Sequence, residues 1–112
     1  MAVEIDFEKM DGLAPAVVQD AKTGDVLMVG FMNRAAFDKT LETGYVTFYS
    51  RTRNELWTKG ETSGNRLKVL NAQADCDLDT LLWRVEVEGK GVVCHTGRRT
   101  CFNTELLLGG AR

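Results

Sequence analysis

Short runs rich in β-branched and aromatic residues follow one another along this chain, most of them at intervals too short to hold a crossover helix. Pro15–Asp20 (PAVVQD) and Val26–Phe31 (VLMVGF) flank a KTGD turn and read as a hairpin. Tyr45–Ser50 (YVTFYS) alternates and is aromatic-rich; Leu56–Lys59, Leu67–Ala74 and Leu81–Glu88 follow as further strands. After Gly89 and Gly91, Val92–Cys94 can return as one more. The clear helix is Arg34–Thr43, with Asn33 as N-cap, Phe37 and Leu41 on one face and Gly44 as its stop. Asn103–Leu108 fits either a helical turn or an extended segment. The pattern predicts a mainly β (α+β) fold, a compact single domain of paired antiparallel sheets with one or two short helices, and disfavours parallel βαβ units.

At 112 residues the chain is expected to form a single domain over 1–112. Fourteen Lys and Arg against sixteen Asp and Glu give a net charge of -2, which argues against a general grip on nucleic acid or on an acidic membrane. No apolar run approaches the roughly 20 residues that span a bilayer, and MAVEIDFEKM lacks the pattern of a secretory signal. Three cysteines are odd in number and too few for a disulfide scaffold, so a reducing, cytoplasmic setting is expected, with free thiols or metal ligands.

Asp75-Cys76-Asp77-Leu78-Asp79 is the most unusual stretch. In an extended chain its carboxylates line one face, and their mutual repulsion is relieved by a hard cation such as Mg2+. The plainer reading is a solvated acidic turn. A calcium loop of the EF-hand type is excluded, because Thr80 stands where that loop needs glycine and Leu81–Val87 reads as a strand.

Cys94 and Cys101 bracket the loop CHTGRRTC, which can fold back to bring two sulfurs together. Converging thiolates select Zn2+, and with Cys76 a three-thiolate site keeps a fourth position for water unless His95 fills it. His95 is otherwise the obvious general base. The competing reading is three buried core cysteines. The zinc-deaminase signature is missing, since no C-x-x-C occurs.

The polar stretch Arg51–Arg66 holds Arg51, Arg53, Trp57, Lys59, Glu61 and Ser63 among hydroxyls and glycines. Guanidinium groups clasp phosphate, turn N–H groups donate to anions, and an indole can stack on a base, so the stretch suits a phosphorylated heteroaromatic ligand. A solvated hairpin is the alternative. Arg98 and Arg99 add a second basic cluster.

The blocks GLAPAVVQD, VLMVGFMN, GYVTFYSRTRNELWTKGETSGN, ADCDLDTLL and CHTGRRTCF resemble, in order, the phosphoribosyl-AMP cyclohydrolase family of histidine biosynthesis. The resemblance runs from Gly12 to Phe102. It implies an intertwined homodimer with active sites between subunits, and no pyrophosphohydrolase domain of the kind found in fused relatives. Zinc would be held by Cys94 and Cys101 with Cys76 of the partner subunit, and Mg2+ by Asp75, Asp77 and Asp79. The implied reaction, the third step of histidine biosynthesis, is hydrolysis of the N1–C6 bond of phosphoribosyl-AMP to a formimino-carboxamide ribotide. His95 would shuttle the proton; Arg51, Arg53, Lys59 and Ser63 are candidate phosphate or ribose contacts. The alternative is a zinc-stapled nucleotide-binding module without turnover.

Overall fold

The computed structural model describes residues 3–109. A 3-10 turn at Glu8–Met10 leads into β1 (Ala14–Asp20) and β2 (Val26–Met32), followed by α1 (Arg34–Thr43), β3 (Thr47–Ser50), β4 (Glu55–Thr58), β5 (Leu67–Ala74) and β6 (Leu81–Val87). The larger sheet has the order β2-β1-β6-β5; β3 and β4 form a separate hairpin.

Alternation in the sequence sets which face each strand buries. Ala14, Ala16 and Val18 of β1 lie inside with Leu81, Trp83 and Val85 of β6. The register pairs Ala16 with Leu81 and Val18 with Trp83, so the two apolar rows stand side by side. That β1–β6 junction is parallel, whereas β1–β2 and β5–β6 are antiparallel. The sheet is therefore mixed, a departure from purely antiparallel pairing. Its parallel neighbours are joined through β2, α1, β3, β4 and β5 in turn, a connection that short spacings between consecutive strands do not forbid.

Helix α1 begins and ends as its sequence dictates. The Asn33 side chain accepts from the Ala36 N–H at 2.8 Å, and Gly44 closes the helix in the left-handed region at φ 81°. Its buried positions are Ala36 and Thr40, with Phe37 half-buried against Phe7 and Trp83. Leu41, expected beside Phe37, is 61% exposed, because the inward stripe runs through positions 36 and 40 and leaves 41 well round the cylinder. Thr40 is buried without penalty: its hydroxyl donates to the Ala36 carbonyl and accepts the Thr47 N–H.

One further segment differs from expectation and another is narrowed. Val92–Cys94 forms no strand; the N–H groups of Val93 and Cys94 both donate to the Arg98 carbonyl, closing a tight loop. Asn103–Leu108 is not helical and pairs with no strand, and Leu106, Leu107 and Leu108 are 79%, 86% and 69% exposed. No helix among the described residues is long and apolar enough to cross a membrane.

Candidate metal and substrate site

The thiol-bearing loop is tied to the β1–β2 hairpin. The Cys101 N–H donates to the Leu27 carbonyl at 2.8 Å, and the Thr100 hydroxyl donates to the carbonyls of Val26 and Leu27. Cys94 is buried and Cys101 is exposed. The Thr96 hydroxyl lies 3.0 Å from the Cys94 sulfur, and the Asn103 amide donates to that sulfur at 3.9 Å. The Thr96 side chain and backbone, with Cys101 and Asn103, hold the Cys94 thiol below its ordinary pKa against the opposing effect of burial. Burial and the neighbouring Cys94 push Cys101 up, and the nearby Lys59 ammonium opposes them. Two adjacent thiols, one of them held below its ordinary pKa, are a soft donor pair that fits Zn2+.

Cys76 does not join that pair: it is exposed in the acidic turn, so a single chain brings together two of the three thiols. His95 is exposed in the turn next to Cys94.

Asp75, Asp77 and Asp79 converge, with one carboxylate oxygen from each lying within 4.8 Å of the others. The means is a turn, contrary to the extended run expected. Leu78 sits in the left-handed region at φ 62°, its N–H donates to the Asp75 carbonyl, and the Asp75 carboxylate accepts the N–H groups of Asp79 and Thr80. Burial pushes Asp75 up, but those N–H groups and the other aspartates outweigh it and hold its carboxyl below the ordinary value. Burial and the adjacent Asp75 raise Asp79. Oxygen-only donors this close fit Mg2+.

No sequence signal points to Lys9, whose ammonium lies 3.4 Å from carboxylate oxygens of both Asp77 and Asp79. It is a built-in counter-ion for these acids. Lys9→Met is expected to tighten Mg2+ binding severalfold, because removing a competing cation leaves the cluster uncompensated. Isothermal titration with Mg2+ checks this; unchanged or weaker binding contradicts it.

A cavity of about 530 Å³ opens at the β3–β4 hairpin, lined by Ser50, Arg53, Trp57, Glu61 and Ser63 together with neighbouring threonines and Gly60. Four of the expected substrate contacts thus share one cavity. Lys59 leaves it, standing over the Trp57 ring on the side of Cys101. Arg51 also lies elsewhere, stacked 4.7 Å over Phe31 beside a second cavity of about 550 Å³ with Tyr49 and Asn33. Arg98 donates to the Asn103 side chain and is exposed, whereas Arg99 pairs with Asp20 and Asp25, so of the two only Arg99 has its charge matched by carboxylates.

The Asp20 carboxyl is pushed up by burial but held below its ordinary pKa overall by the N–H groups of Lys22 and Thr23 and by Arg99. A depressed folded pKa contributes stability that is fully present above the unfolded value of about 3.9 and is lost as pH falls through the folded value. The stability gap between the parent and Asp20→Asn should therefore stay constant from about pH 5 to 7 and close only below about pH 4. Urea unfolding across that range measures it; a gap that widens on acidification would contradict the ion pairing.

The profile of the phosphoribosyl-AMP cyclohydrolase family matches residues 28–103. A protein of Desulfatibacillum aliphaticivorans named phosphoribosyl-AMP cyclohydrolase is 58% identical over 101 residues, covering 90% of this chain and 80% of its own length. One of the same name from Solibacter usitatus is 54% identical over 107 residues, covering 96% and 84%. The histidine biosynthesis bifunctional protein HisIE of Bacteroides thetaiotaomicron is 60% identical over 100 residues, covering 89% of this chain and 48% of that protein. The chain thus spans about half the length of such bifunctional relatives. It belongs to the phosphoribosyl-AMP cyclohydrolase family.

Proposed function

We propose that this chain hydrolyses phosphoribosyl-AMP at the N1–C6 bond of its adenine ring, as a step of histidine biosynthesis. Family membership supports the reaction, and the adjacent Cys94 and Cys101 thiols are the observation that carries the chemistry. Zn2+ would be held by these thiols together with Cys76 of the partner subunit, and Mg2+ by Asp75, Asp77 and Asp79. When bound, the zinc supplies a Lewis acid that makes water nucleophilic near neutral pH.

The substrate explains the remaining groups. An adenine alkylated at N1 carries positive charge and is electrophilic at C6. Water adds at C6, and the tetrahedral adduct collapses with cleavage of the N1–C6 bond. His95, beside Cys94, takes the proton from the attacking water and returns one to the departing nitrogen. Arg53 and Ser63 bind phosphate in the hairpin cavity, Glu61 accepts ribose hydroxyls, and Trp57 presents its ring to the base. Lys59, over the Trp57 ring, brings a positive charge to the neighbourhood of Cys101. A homodimer would bring a second Cys76 to each thiol pair, and the exposed Phe102 and Leu106–Leu108 supply apolar surface for it.

Turnover of phosphoribosyl-AMP by purified protein, with and without chelator and with Zn2+ and Mg2+ restored separately, tests this. Activity lost to the chelator and recovered with metal is expected. A folded, zinc-loaded protein without turnover would leave a nucleotide-binding module instead.

A further inference from the structure

We infer that Arg99 is a positioning residue for the thiol pair, locking the Cys94–Cys101 loop onto the β1–β2 turn so that both sulfurs are set in place before metal arrives. The inference rests on the reading of Cys94 and Cys101 as metal ligands. One guanidinium spans two carboxylates: Nη1 lies 2.6 Å from Asp25 Oδ2, Nη2 lies 2.7 Å from Asp20 Oδ2, and Nη2 also donates to the Thr23 hydroxyl at 2.9 Å. These acceptors are themselves fixed. Asp20 accepts the N–H groups of Lys22 and Thr23, the Asp20 N–H donates to the Asp25 carbonyl, and Thr23 and Asp25 bond each other. Arg99 therefore meets a rigid anion cradle closed by residues far away in the chain.

Its place in the loop decides what the contact does. The preceding Arg98 carbonyl holds the Cys94 N–H at 3.0 Å, and two residues on the Cys101 N–H is held by Leu27. Arg99 lies between these anchors, so its grip fixes the backbone that relates one sulfur to the other. The ion pairs are half in solvent, with Arg99 at 43% side-chain exposure, and exposed pairs add little to global stability. Their effect falls on loop order. Preorganised ligands bind more tightly because less conformational freedom is lost on binding. A lysine can face one carboxylate well but cannot reproduce the fork.

The test is Co2+ titration of the full-length parent, Arg99→Met and Arg99→Lys, followed by thiolate-to-cobalt charge-transfer absorption, with thermal unfolding of each metal-free protein alongside. Supporting behaviour is Co2+ affinity at least ~10-fold weaker in Arg99→Met, partial recovery in Arg99→Lys, and metal-free melting temperatures within a few degrees of the parent. Parent-like affinity in Arg99→Met overturns the inference. So does weakening that merely follows a large fall in melting temperature, which marks a structural role. Should Arg99→Met fail to fold, Asp25→Ala removes one arm of the grip from an exposed position, and unchanged Co2+ affinity there overturns the inference that the two-carboxylate fork sets the loop. A parent that takes up no Co2+ through its thiols overturns the metal-site reading as well, which separates the two failures.

Discussion

Cys101→Ser is expected to abolish zinc binding and phosphoribosyl-AMP turnover together. A serine hydroxyl stays protonated near neutral pH and is a hard donor, so it cannot replace a thiolate on a soft site. One chain contributes only the adjacent pair Cys94 and Cys101, and losing half of it should cost more than the ~100-fold that loss of a residue merely supporting a ligand costs. Cys101 is the better probe because it is exposed. Cys94 is buried and bonded to Thr96, so its replacement mixes folding with chemistry. Metal content by mass spectrometry and initial rates on the same preparation make the measurement. A zinc-free variant with full activity would remove the metal from the reaction, and a zinc-loaded but inactive one would remove Cys101 from the ligand set.

Local rules carried the sequence reading as far as local rules reach. Asn33 and Gly44 marked both ends of α1 because capping depends on a few neighbouring residues. The hairpin around Lys22–Asp25, and β5 and β6, followed from alternation and turn chemistry. The parallel β1–β6 pairing was not legible, since it joins residues such as Ala16 and Leu81 through most of the chain. Val92 and Val93 have strand-forming side chains, yet Gly91, Gly97 and the Arg98 carbonyl fold them into a loop.

The site was legible in composition and less so in geometry. The carboxylates of Asp75, Asp77 and Asp79 do meet, but through a turn at a left-handed Leu78 that no feature of leucine announces. Arg99 and Arg51 looked like anion-binding groups by residue type. Arg99 is claimed by Asp20 and Asp25 and Arg51 by the Phe31 ring, competition that exists only after the chain has folded. Lys9 enters the acidic cluster from 68 residues away for the same reason.

The second large effect concerns the joint between the sheet and the hairpin that carries the proposed substrate cavity. Phe48 is fully buried, with its ring 5.1 Å from Trp57, which lines that cavity. It also presses on Gly30 of β2 so closely that a Cβ there would stand 2.5 Å from its Cδ1. Glycine at 30 is thus what admits the ring. Phe48→Ala empties the joint and should cost about 3–5 kcal/mol, a large part of the roughly 5–15 kcal/mol that holds a domain of this size. Gly30→Ala attacks the same contact from the other side and should cost about 1–3 kcal/mol by overpacking. Because both act on one contact, their effects cannot be independent: the Gly30→Ala penalty should shrink when Phe48 is first replaced by leucine. Urea unfolding of the single and double variants measures this coupling. A Phe48→Ala loss below about 1 kcal/mol, far under the range for a buried aromatic, would show that the hairpin does not lean on the sheet through this ring. Where the fold survives, weaker substrate binding with unchanged metal content should accompany the lost packing, since Trp57 loses its backing while the Cys94–Cys101 loop keeps its own anchors on Leu27 and Asp25.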